Sequence, residues 1–244
     1  MFAHSSVAGE HPVSTRSQEE IGKDIPVRVD VGLLFISRVR ERTNDKLLHS
    51  TLRDFLDGRS LAGNNDRMML NAAITNVLSD WSAVGVVAGK TLCSMTVRSE
   101  ESGNFETTHR MEKWTFPSEQ AGGGTDEAPS FDHGIGLENK GTRLLDDKQI
   151  SVSFSLTIAG KPELKTRNNG SVSVVQDRRT AIPEFRIESG QSTVLASEDF
   201  DPDSAKRLFG LFREEGWLQF DAGWNPEEEE LAFLILVGAE RGEE

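Results

Sequence analysis

From Ile150 to Ile158 the chain alternates without interruption. Ile150, Val152, Phe154, Leu156 and Ile158 are apolar, and Ser151, Ser153, Ser155 and Thr157 between them carry hydroxyls. Successive side chains of a strand point to opposite faces, so this stretch predicts a strand with one buried and one polar face, as in an antiparallel sheet covered on one side. The same period of two runs through Val27, Val29, Val31 and Leu33, continuing by Leu34-Phe35-Ile36 toward Val39, and through Thr91, Cys93, Met95 and Val97. After the turn signal Ser102-Gly103-Asn104, residues Phe105 to Phe116 read as the returning strand of a hairpin. Asn168-Asn169-Gly170 marks a second turn before Val172–Val174, and Phe185 and Ile187 give a short strand after Pro183.

Three segments switch to helical spacing. Asn44 caps a predicted helix whose apolar positions run from Leu47 to Leu56, closed by Gly58. Asn65 opens a second, with Met68, Met69, Ala72, Ala73, Val77, Leu78 and Trp81 on one face and Gly85 at its end. Asp201-Pro202 opens a third, striped by Ala205, Leu208, Phe209 and Phe212 and stopped by Gly216. Trp217–Phe220 and Leu231–Val237 then read as a terminal hairpin joined by an acidic loop containing Glu227, Glu228, Glu229 and Glu230. The predicted class is α+β, a mainly antiparallel β-sheet with about three helices packed on it. Residues 1–24 are polar and aperiodic and read as a flexible arm, 25–238 as one globular domain, 118–134 as a mobile Gly-rich loop, and 239–244 as a frayed acidic tail.

Composition removes several classes. The 244 residues are 36% hydrophobic and 27% charged, enough apolar material for a core. The single cysteine, Cys93, allows neither an intrachain disulfide nor a cysteine-based zinc cluster, and its setting predicts a buried inert thiol. The net charge of −13 is concentrated late: residues 181–244 hold 16 of the 40 acids but only 5 of the 27 bases. Such a field repels nucleic acid and anionic lipid, although the more balanced remainder leaves room for a basic face. The longest apolar run, Leu231 to Val237, is far short of the ~20 residues of a spanning helix. The first residues lack the basic start and apolar stretch of a secretory signal, and Phe2 stands where N-myristoylation needs glycine.

Catalytic motifs are sparse. His4, His11, His49, His109 and His133 stand apart, none at the spacing that puts two imidazoles on one helix face for zinc. Gly85-Val86-Val87-Ala88-Gly89-Lys90-Thr91 has three residues between its glycines where a phosphate loop needs four, and reads as a helix-to-strand turn. Asp132-His133 is the one candidate proton-transfer pair, the basis for a hydrolase alternative. Asn169-Gly170-Ser171 is either a glycosylation sequon or an ordinary turn. No cofactor or metal is expected.

Binding candidates are more numerous. Arg38, Arg40 and Arg42 alternate and would share one face of an extended segment, either as a contact for phosphate or an acidic partner or as a solvated strand end. Lys161, Lys165, Arg167, Arg178 and Arg179 flank the Asn169 turn, either as a basic tip on the sheet or as a solvated hairpin end. Phe131 and Ile135, apolar and beside the Gly-rich loop, are candidates either for self-association or for anchoring the loop to its own core; the Glu227–Glu230 run opposite that basic tip is a candidate for self-association or a solvated loop that keeps the protein soluble.

The order of elements resembles the matrix proteins of rhabdoviruses. Met69-Leu70-Asn71-Ala72-Ala73 through Asp80-Trp81 is similar to that family's Ala-rich helix, Ile150–Ile158 to its central strand, Ala205-Lys206-Arg207-Leu208-Phe209-Gly210-Leu211 to its C-terminal helix, and Trp217–Val237 to its last hairpin. The match spans residues 25–237 as topology. It departs in the arm, where residues 1–30 carry 3 bases and 5 acids, in an extra helix at 44–57, and in lacking the Pro-Pro-x-Tyr and Pro-Thr-Ala-Pro budding motifs. A divergent member, such as one from a plant virus, fits these losses best. The resemblance implies a structural protein that forms homo-oligomers, binds the viral nucleoprotein–RNA assembly and condenses it beneath the envelope during budding, with peripheral membrane contact. It implies a place in the virion and in the host cytoplasm, nucleus or inner membrane face. The alternative is a viral movement or capsid-like protein that binds nucleic acid through its basic half.

Overall fold

The structure, a computed structural model, describes residues 25–43, 55–56, 67–98, 106–115, 130–166, 168, 172–176, 178–181, 183–196, 202–220 and 230–242. Among them the order is β1 (Pro26–Ser37), α1 (Arg38–Thr43), β2 (Arg67–Leu70), α2 (Ile74–Ala83), β3 (Val87–Arg98), β4 (Glu106–Thr115), β5 (Ser130–Asn139), β6 (Arg143–Leu144), β7 (Gln149–Ala159), β8 (Glu163–Thr166), β9 (Val172–Val175), β10 (Arg178–Ala181), β11 (Glu184–Glu188), β12 (Gln191–Ala196), α3 (Pro202–Glu214), β13 (Gln219–Phe220) and β14 (Leu231–Arg241). The fold is α+β and mainly antiparallel, as the sequence predicts.

Two six-stranded sheets form the frame. The first has the order β13-β3-β1-β14-β12-β2. The second runs β10-β7-β5-β4, with β6 and β11 pairing the N-terminal half of β7. Their facing side chains make the main core. Val27, Val29, Val31, Leu33 and Phe35 of β1 lie in one cluster with Ile150, Val152, Phe154, Leu156 and Ile158 of β7 and with Phe209 and Phe212 of α3. Phe35 is fully buried and meets the rings of Phe209, Phe212 and Phe233 at 5.3, 5.5 and 5.0 Å.

β1 and β14 pair in register from Val27↔Arg241 to Ser37↔Leu231 and lie in the middle of the first sheet. Both carry unbroken apolar runs, and the reason is a second core on the outer face. Leu34, Ile36, Leu234 and Leu236 pack there against Ile74, Val77, Leu78 and Trp81 of α2. A strand buried on both faces loses its polar alternation. The close approach of α2 rests on Gly238, because a Cβ built there would lie 3.0 Å from Ile74 Cβ.

α3 is the helix predicted from Pro202 to Gly216. Its end is a left-handed Gly216, φ 68°, with Trp217 N–H donating to Phe212 O at 2.9 Å. Cys93 is fully buried, as its strand setting predicts, and the Gly85 segment is the predicted turn, with φ 76° at Gly85.

Several predicted elements change. Residues 67–70, read as helix, form an edge strand in which Met68 is buried and Met69 exposed. Pairing with β12 holds it, with Ser192 Oγ donating to Ala72 O at 2.7 Å and Thr193 Oγ1 to Met68 O at 3.1 Å, so tertiary pairing overrides helix propensity. β4 does not return on β3. It pairs β5 in the other sheet, since a turn signal states where the chain reverses and not which strand receives it. The predicted loop 118–134 ends early, because Ser130 already begins β5; residues 116–129 lie outside the described residues. The terminal hairpin does not form: β13 pairs β3 at one edge, while β14 lies between β1 and β12. The chain at 239–242, read as a fraying tail, is strand through Arg241 and is fastened by Gly242 N–H to Pro26 O at 2.7 Å. The predicted arm and, except Phe55 and Leu56, the predicted helix at 44–57 lie outside the described residues.

Candidate functional site

The arginine row at Arg38, Arg40 and Arg42 is not an extended face. Ser37 ends β1 and caps α1, its Oγ accepting from Arg40 N–H at 3.2 Å, and within that helical turn the three arginines take different partners. Arg38 is buried with Glu41, Nη1 to Oε2 3.3 Å. Arg40 Nη1 donates to Gly85 O at 3.3 Å, and Arg42 pairs Glu230 at 3.0 Å. These contacts fasten α1 to its surroundings and present no common phosphate surface. The basic tip is also divided. Lys161 pairs Glu215 at 2.9 Å, Lys165 lies 3.9 Å from Glu163 in solvent, and Arg178 and Arg179 stand on β10, exposed and half-buried. Arg167 and Glu227–Glu229 lie outside the described residues. Ile135 is fully buried in the main core because β5 turns it inward, which removes it as a self-association contact; Phe131 is half-buried opposite Trp114 in the β4–β5 register.

The Asp132–His133 pair does not form, because neighbours on a strand face opposite ways. Asp132 is exposed. His133 is buried, with Nε2 3.2 Å from Glu215 Oε2 and its ring 5.2 Å from that of Trp217. The Glu215 carboxylate also meets Lys161. One carboxylate thus ties together β5, the turn after α3 and the segment after β7. Among the described residues no group of three or more His, Cys, Asp or Glu gathers to hold a metal ion.

A site absent from the sequence reading lies at the β2 edge of the sandwich. Arg67, Met69, Arg143, Leu145, Ser151, Glu184, Phe185 and Arg186 line a groove of about 630 Å³. Its floor follows from register. Ser151 of β7 is paired with Arg143 of β6 on one side and with Arg186 of β11 on the other, so the three side chains form a row on one face. The opposite wall is Arg67 of β2, whose guanidinium carbon stands 5.9 Å from the centroid of Phe185, in cation–π range. Among the described residues none of the three arginines has an ion-pair partner. No local pattern could have revealed the row, since Arg143 and Arg186 meet only through β7.

Lys148 N–H and Gln149 N–H both donate to Asp146 Oδ1, at 2.8 and 2.7 Å, and these bonds hold its carboxyl below the usual carboxylate value. No helix among the described residues is long and apolar enough to cross a membrane.

No protein-family profile and no curated protein matches the chain. Solved structures similar to it include the type IV competence pilus secretin PilQ of V. cholerae, at 11% identity and TM-score 0.40 over 93% of this chain and 63% of that one. Another is the type II secretion system outer membrane complex of Klebsiella pneumoniae, with PulD, PulS and the PulC HR domain, at 8% identity and TM-score 0.32 over 90% of this chain and 39% of that one. The chain spans less than two thirds of the length of either.

Proposed function

We propose that the protein is a structural protein that associates with copies of itself, as a viral matrix layer requires, and is not an enzyme. In this role it gathers a nucleoprotein–RNA assembly in the host cell, peripheral to a membrane, and is carried into the virion. The observation that supports self-association is the β8–β9 hairpin. It branches off between β7 and β10 and pairs with neither large sheet. Its register puts Leu164, Val172 and Val174 on one face, with Val172 52% exposed. A two-stranded hairpin is marginal alone in water, and an apolar face that stays partly exposed among the described residues marks an interaction surface. The hydrolase alternative loses support, because Asp132 and His133 do not form a catalytic unit.

Sedimentation velocity on the full chain tests this reading. The wild type is expected to associate as concentration rises, undiminished by salt, and the Val172→Asp/Val174→Asp variant to remain monomeric with an unchanged circular dichroism spectrum. A wild type monomeric at every concentration overturns the reading. Association that salt weakens would place the contact in charge pairing, screened beyond about 8 Å at physiological ionic strength, and would count against the hairpin.

A further inference from the structure

We propose that the groove at the β2 edge is a binding site for a small organic phosphate, a ligand of nucleotide type. This goes beyond the structural role above and stands independently of it.

The argument starts from the row Arg143–Ser151–Arg186. Adjacent strands lie about 4.8 Å apart, so the two arginines flank the serine at roughly 10 Å from each other, close enough for both guanidinium groups to reach one anion above the hydroxyl. Two planar forks and one hydroxyl supply more donors than the two oxygens of a carboxylate engage together. A phosphate group, with three terminal oxygens, accepts from all of them. Arg143 and Arg186 are both exposed and unpaired among the described residues, and Glu184 is the one acid lining the groove.

The rest of the groove fits an organic body. Met69 and Leu145 line it while 46% and 38% exposed, so they offer apolar surface beside the arginines. Arg67, positioned on the Phe185 ring, presents a flat cationic face from the opposite wall. The volume of about 630 Å³ falls in the range of small-molecule sites. The net charge of −13 disfavours a long polyanion at the surface, whereas a small ligand seated in the groove meets chiefly the local arginines.

Isothermal titration calorimetry on the full chain, in phosphate-free buffer at low ionic strength, tests the site with adenosine monophosphate, adenosine, inorganic phosphate and a short single-stranded RNA lacking terminal phosphates. Adenosine monophosphate is expected to bind at one saturable site. Adenosine is expected at least about tenfold more weakly, since each charge-assisted hydrogen bond to the phosphate is worth about tenfold or more, and inorganic phosphate at least about tenfold more weakly, since it lacks the organic body that meets Met69, Leu145 and Arg67. Arg143→Gln/Arg186→Gln is expected to weaken adenosine monophosphate by at least about tenfold with an unchanged melting temperature. Lys165→Gln/Arg178→Gln removes the same charge outside the groove and is expected to leave affinity within about twofold. The proposal is overturned if adenosine monophosphate does not bind, or if both double variants lose affinity equally. It is also overturned if inorganic phosphate binds as tightly as the nucleotide, or if the RNA binds more tightly.

Discussion

Leu34 and Phe35 are neighbours on β1, fully buried on opposite faces of the first sheet, and they give the sharpest test of the two-core arrangement. Phe35→Ala removes the ring that meets three other aromatics, and lost transfer energy with the residual cavity costs about 3–5 kcal/mol. Leu34→Ala empties the space between the sheet and α2, at about 2–5 kcal/mol. Were the sheet covered on one side only, Leu34 would face water and its truncation would cost almost nothing. Leu92 on β3 supplies that reference: it is 39% exposed and alternates with buried Cys93, so Leu92→Ala is expected within about 0.5 kcal/mol of wild type. With a urea slope of about 3 kcal/mol/M, the two core variants lower the unfolding midpoint by roughly 0.7 M or more, and Leu92→Ala by no more than about 0.2 M. Urea unfolding followed by tryptophan fluorescence reads all three. A Leu34→Ala midpoint that coincides with that of Leu92→Ala would refute the packing of α2 on the outer face.

The remaining predictions concern β7, the glycine contact and Asp146. Phe154→Ala is expected to cost about 3–5 kcal/mol, and Ser153→Ala, with its side chain on the other face, within about 0.5 kcal/mol; thermal unfolding separates them, and equal losses contradict the strand's orientation. Gly238→Ala drives a methyl to 3.0 Å from Ile74 Cβ and is expected to destabilise by about 1–3 kcal/mol, whereas the nearest neighbour of a Cβ at Gly32 is 3.6 Å away and Gly32→Ala should cost less, as denaturant midpoints will show. Because its backbone bonds lower the folded pKa of Asp146, their stabilisation is complete above the ordinary value of 3.8 and is lost as pH falls through the lowered folded value. Asp146→Asn cannot titrate, so any melting-temperature advantage of the wild type should narrow as pH falls below 3.8; an advantage constant across that range would contradict this assignment.

Legibility followed the range of the interactions. The apolar face of β7 was readable because its alternation states which side chains point inward, and the structure buries Ile150, Val152, Phe154, Leu156 and Ile158; Ser155, which the alternation puts on the polar face, is buried as well. α3 was readable because proline, the Ala205–Phe212 stripe and Gly216 mark its start, face and stop within one short stretch. The arginines at 38–42 were misjudged because a helical turn begins at Ser37, directly after a strand, and three residues in spacing two suit an extended chain as readily as a solvated turn.

The sequence by itself determined that this chain builds antiparallel sheets with helices on them, since periods of two and 3.6 report which face of each segment leaves water. It did not determine partners. Only the tertiary structure decided that β4 joins β5, that β13 and β14 separate, that β1 is covered on both faces, and that Arg143 and Arg186 flank Ser151. Strands exchange backbone hydrogen bonds that are nearly the same whatever their side chains. The choice among partners therefore rests on how all the buried faces fit together at once, a property of the assembled chain and of no segment within it.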